Sequence, residues 1–351
     1  MRKGASAKSP ALGLLLVAIA ATGCVPARMP PAPEHQAVSA RRAWPAPPAR
    51  PRIRFVQSVS RPADLGVEPS FWERLGQIIV GREEAWLIRP MAVGARGGVI
   101  YVADAGGQAV WALEVRSGRF RKTQMAGRGP LVSPVGLALA PKGRVYVADS
   151  FLRSIFVLDE DLKVTTTITG EALHRPAGLA FDAARDRLYV ADSAAHTVWI
   201  YTGEGVLLES IGQRGTREGE FNFPTHVAVD STGTLYVTDS LGFRVQMFTA
   251  DGRFASMFGR HGDASGEFAR PKGVALDSEG HIYVVEALFD AVQIFDRRGR
   301  FLLSFGERGL GPGQFWLPTG VFIDPDDRIY VADAYNQRIQ IFEYLRGGGD
   351  E

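Results

Sequence analysis

From Pro90 to the end, apolar and polar residues alternate in runs of five to seven, and the same order of runs keeps returning. Each copy opens on a proline (Pro90, Pro134, Pro176, Pro224, Pro271, Pro318) and leads to an aromatic-rich run ending in an acid: VIYVAD to Asp104, RVYVAD to Asp149, RLYVAD to Asp192, TLYVTD to Asp239, HIYVVE to Glu286 and RIYVAD to Asp333. The acids lie 45, 43, 47, 47 and 47 residues apart, a period of the size expected for four-stranded propeller blades. Period-two alternation and turn residues divide unit four into four strands, PTHVAVD, TLYVTD, RVQMF and RFASMFG, with Ser-Thr-Gly and Asp251-Gly252 as turns. The pattern predicts an all-β fold, a six-bladed β-propeller.

Between units a second frame, G-x-x-G-x-x-x-G-x-F-x-x-P, recurs at Gly212, Gly259 and Gly306. It predicts a crossover from the outer strand of one blade to the inner strand of the next, with glycine supplying the tight turns and Phe221, Phe268 and Phe315 wedged between blades. The acids of the middle copy, Asp263 and Glu267, read as decoration of that frame and not as an ion site. Unit six has only three strands, and RIRFVQSVS (52–60) has the pattern of the missing one. The N-terminal segment is therefore expected to complete the last blade, which removes exposed sheet edges. Ser70 to Glu73 has capping-box spacing and Trp72, Leu75 and Ile79 share a helical face, so a short helix is expected over about 70–80.

These residues resemble the NHL-repeat family of six-bladed propellers, best in PTHVAVD…LYVTDS…RVQMF…DGRF of unit four and PTGVFID…IYVADAYNQRIQIF of unit six. Units one and three are the most degenerate copies. The resemblance covers about 52–343 and implies the fold. It leaves the activity open, since the family includes protein-binding and RNA-binding modules and a metal-dependent peptide-amidating lyase.

The N-terminus has another character. Arg2, Lys3 and Lys8 precede an apolar run, ALGLLLVAIAA, too short to span a bilayer as a mature helix and suited to a signal peptide over 1–23. It ends in Ala21-Thr22-Gly23-Cys24, and Cys24 is the only cysteine, so no disulfide can form within the chain. The stretch resembles a bacterial lipobox, which implies lipidation at Cys24 and a membrane anchor there; Ala21 stands where leucine is usual. Val25 in place of Asp resembles outer-membrane sorting, and the expectation is an exported outer-membrane lipoprotein facing the periplasm. Residues 24–51 are proline-rich, with eight prolines between Pro26 and Pro51, and read as an extended tether; 346–351 reads as a disordered tail. Loss of Arg2, Lys3 and Lys8 with the signal takes the formal charge from +2 to −1. That leaves no basic footprint for nucleic acid, and no nucleic-acid partner is expected.

The recurring acid is read as structural, accepting N–H groups of the turn that follows, with Arg244 and Arg338 placed to pair with Asp239 and Asp333. A lyase-like site would need several histidines at the channel. The second residue after each proline is Ala92, Gly136, Gly178, His226, Gly273 or Gly320, so only His226, with His174 near the same rim, is a channel-mouth candidate. No G-x-S-x-G elbow, H-E-x-x-H pair or phosphate loop is present; no catalytic residue, metal or cofactor is expected. Bulky residues after strand two gather on one face, and Phe151, Arg153, Phe243, Arg244, Phe289, Tyr335 and Arg338 are the partner-binding candidates. The expected function is a non-catalytic protein-binding or assembly module for another cell-envelope protein. A metal-dependent lyase or hydrolase at the channel mouth, and a small-ligand sensor using the channel, remain the alternatives.

Overall fold

The computed structural model describes residues 42–65, 86–127 and 129–346. The signal segment, Cys24 and the helix expected over about 70–80 lie outside the described residues. Five four-stranded antiparallel sheets follow one another in the chain, and blade four is typical: Pro224–Val229, Leu235–Asp239, Arg244–Phe248 and Phe254–Phe258, ordered from the inside outward. Its register places Pro224 opposite Asp239 and His226 opposite Thr238. The innermost strands neighbour one another around a closed ring.

Blade six takes three strands from the C-terminus, Val321–Ile323, Arg328–Asp333 and Arg338–Tyr344, and a fourth, Ile53–Val59, from the N-terminus. The closure anticipated from RIRFVQSVS is present. A further two-residue strand, Ala43–Trp44, pairs outside Ile53–Val59. This corrects the tether, expected to run to residue 51: Arg42 to Trp44 are docked on the ring. Trp44 packs at 5.9 Å from both Phe305 and Phe342, and Arg42 donates to the Pro312 carbonyl at 2.9 Å. Burying an indole among aromatic rings outweighs the extended preference of the prolines around it.

Among the described residues there is no single core. Six apolar clusters sit between consecutive blades, such as the one joining blades four and five through Val245, Met247, Phe258, Phe268, Val274 and Phe295. The strand-two runs are buried on both faces because each blade packs against two neighbours, which explains why they read as almost wholly apolar. Phe221, Phe268 and Phe315 are completely buried at the junctions, as the repeat frame predicts. Gly259 precedes one such wedge at φ 95°, and a Cβ there would lie 2.4 Å from the Phe268 ring.

Candidate functional site

Each strand-two acid ties its blade to the preceding crossover. Asp149 accepts the N–H groups of Val132 and Ser133 through one oxygen and those of Phe151 and Leu152 through the other, at 2.8–3.1 Å. Glu286 does the same with Ala269, Arg270 and Leu288. The turn-capping role read from the sequence is present, and the crossover contacts add to it. Burial holds the carboxyls of Asp239, Glu286 and Asp333 above their ordinary range against the pull of these bonds.

Arg244 and Arg338 pair with Asp239 and Asp333 at 3.1 and 2.8 Å. Both are buried, and their remaining N–H groups go to crossover carbonyls: Thr216, Arg217 and Glu220 for Arg244, and Leu310, Gly311 and Gln314 for Arg338. They are consumed inside the blade, which corrects their assignment to a partner surface. Three buried glutamines in strand three escaped the sequence reading. Gln246, Gln293 and Gln340 each accept a crossover glycine N–H and donate to a crossover carbonyl at 2.6–2.9 Å. The repeated Q of RVQMF, AVQIF and RIQIF was the available signal.

These clamps fix a face made of the crossovers and the strand-two loops. On it Phe151 is 71% exposed, Leu288 52%, Tyr335 50% and Leu241 48%, and Trp316 lies 5.7 Å from Tyr335. Arg153 is exposed there too. Phe243 and Phe289 are half-buried, Phe243 edge-on to His261 at 4.5 Å. The leucines beside them, Leu241 and Leu288, carry the accessible apolar surface.

At the centre of this face the inner strands converge. A Cβ on Gly136 would lie 1.8 Å from the Ala177 carbonyl oxygen, one on Gly178 2.5 Å from the His226 Cα, and one on Gly320 2.7 Å from the Met91 carbonyl oxygen. The recurring glycine is required because neighbouring backbones touch there. His226 occupies the same layer in blade four and lines a channel cavity of about 220 Å³ whose other walls are glycine and apolar side chains, among them Leu137, Leu179 and Phe322. Burial, helped by the charge of Lys272, pushes its imidazole down to about 3, so the ring is neutral. The side chain of His174 is exposed, and its backbone N–H is spent on Asp192; the two histidines do not meet. Among the described residues no three His, Cys, Asp or Glu side chains converge as a metal-ligand set.

The chain matches the NHL repeat over residues 315–342, which is blade six from its Phe wedge to strand three. This is a six-bladed β-propeller with an NHL repeat in its last blade. The chain also matches the SMP-30/gluconolactonase/LRE-like region over residues 89–255. No curated protein matches it in sequence. Among solved structures it is similar to a streptogramin B lyase (12% identity, 73% of this chain and 93% of that one, TM-score 0.57). A catalytically inactive virginiamycin B lyase from Staphylococcus aureus with quinupristin is similar to the same degree (12%, 74% and 96%, 0.56). So is an auxiliary nutrient binding protein from Bacteroides thetaiotaomicron (13%, 73% and 69%, 0.58). At such identities the likeness is one of fold.

Proposed function

We propose that this NHL propeller is a non-catalytic binding module of the cell envelope, held to the membrane by a lipid on Cys24 and docking a protein partner on its crossover face. The observation that carries the reading is the exposure of Phe151, Leu241, Leu288 and Tyr335 together on that one face. Large apolar side chains grouped on a rigid frame are what partner hot spots are made of. The buried Asp, Arg and Gln clamps supply the rigidity, so docking costs little loop ordering. Arg153 adds a polar contact at the rim. The signal-like segment and lipobox-like Ala21-Thr22-Gly23-Cys24 support export and anchoring.

The test is capture of partners from the native envelope by the full lipoprotein and by a Phe151→Ser/Leu288→Ser double variant. A stoichiometric protein lost from the variant, with the melting temperature unchanged, supports docking on this face. A partner retained equally by both would sink it.

A further inference from the structure

Where blades three, four and five meet at the channel, the NHL propeller carries charge and hydrogen-bonding capacity that its own fold does not use. Lys272 follows the Pro271 that opens blade five; the equivalent residues of the other blades are Met91, Val135, Ala177, Thr225 and Thr319, none charged. Its ammonium lies among Arg270, Arg175 and Glu286, and among the described residues it makes no ion pair. Glu286 is the one opposing charge among them, and its pull on the ammonium is smaller than the push of either arginine. Arg175 lies over the Phe223 ring at 5.8 Å, and Phe223 is held at φ 74°, a costly conformation for a bulky residue ahead of a proline.

Next to these cations, three buried polar atoms have no hydrogen-bond partner: Thr225 Oγ1, His226 Nδ1 and Thr238 Oγ1. Thr225 is 4% exposed and Thr238 0%, and Thr238 faces His226 across the strand pair. A buried donor left unpaired costs stability, as does a desolvated cation without a direct ion-pair partner. A fold that concentrates both at one point spends stability where nothing in its own packing requires it, the pattern of a binding site kept ready.

We propose that this mouth binds the oxyanion group, carboxylate or phosphate, of a small ligand whose apolar body enters the channel. Lys272, Arg175 and Arg270 supply the counter-charge, and the hydroxyl of Thr225 and the neutral ring of His226 supply directed hydrogen bonds. The cavity of about 220 Å³ takes the body; a cavity of roughly 150 Å³ lined by apolar side chains holds a benzene ring. The fall of the Lys272 ammonium to about 8, caused first by burial and then by Arg270 and Arg175, fits a cation waiting for an anion. Binding at the mouth does not require a protein docked on the crossover face.

The full chain in nonionic detergent, with its histidines ¹⁵N-labelled, is titrated with benzoate, with phenyl phosphate and with neutral benzyl alcohol, while the His226 ring signals are followed. The expected result is a saturable His226 shift below about 1 mM with one or both anions and none with the alcohol; which anion binds tells carboxylate from phosphate. Lys272→Met, which keeps the stem and removes the charge, weakens binding about tenfold or more, the scale of one charge-assisted hydrogen bond. Arg175→Gln, a change at an exposed rim position, weakens it in the same direction and keeps the test open should the lysine variant not fold. Absence of a saturable shift with either anion, equal binding of the alcohol, or unchanged affinity in a folded variant overturns the proposal.

Discussion

At the residue scale, the glycines two places after each proline show how a composition that looks permissive encodes contact. Gly136→Ala would drive a methyl into the Ala177 carbonyl, where no flexible side chain can give way. It is expected to cost about 1–3 kcal/mol in chemical denaturation, whereas Gly129→Ala, with no described residue within 4 Å of its Cβ, stays within about 0.5 kcal/mol. Equal stabilities would show that the blades do not touch there. His226 sets a pH dependence. Its folded-state value is depressed to about 3 while the unfolded ring titrates near 6.5, so between those limits the unfolded chain binds the extra proton. The associated stability is fully present above about 6.5 and is lost as the pH falls toward 3. His226→Gln should flatten that part of the stability profile relative to the parent chain; superimposable acid limbs would refute it.

At the scale of elements, the blade is held as much by polar clamps as by its apolar clusters. Gln293→Ala removes an acceptor for the Gly266 N–H and a donor to the Glu267 carbonyl, both at 2.7 Å, and is expected to cost about 2–3 kcal/mol at about 1–1.5 per bond. Hydrogen exchange should quicken first in the crossover at 259–270; uniform quickening would contradict a local clamp. Much of this level was legible in the sequence. The strands of unit four, the Phe wedges, the acid-capped turns and the N-terminal closing strand follow from alternation and period, because local propensity and repeat agree. The rest was not, for identifiable reasons. The pairing of Arg244 and Arg338 with Asp239 and Asp333 follows from their spacing, but their burial away from a partner surface does not, because the crossover carbonyls that satisfy them are 24 to 28 residues away in sequence. The apparent tether hid a docked Trp44, since the preference of its prolines is local and its partners lie at the other end of the chain. The mouth cluster was only half visible: His226 stood out by residue type, but Lys272 and Thr225 emerge only when the six copies are aligned at their prolines.

At the scale of the whole molecule, the ring closes through its two termini, so the segment proposed as an anchor leads directly into the last blade. Arg346 adds a second fastening by pairing with Asp327 at 2.6 Å, the same carboxylate that holds Ser278 of blade five. Cys24→Ala is expected to abolish incorporation of labelled fatty acid and release the protein from the membrane fraction; continued labelling would contradict a lipid on this residue. Ala43–Trp44 lies on the outer edge of blade six, and Arg42 beside it reaches Pro312 of the adjoining crossover.

The most direct test of that face as the docking surface is site-specific photo-crosslinking in intact cells, with the reactive amino acid at position 151 or 288 and, for comparison, on outer strands at 207 or 302. The account predicts a discrete crosslinked protein from the first two positions and none from the outer-strand pair, although Leu207 and Leu302 are also exposed. Crosslinks from the outer strands with silence at 151 and 288 would contradict it.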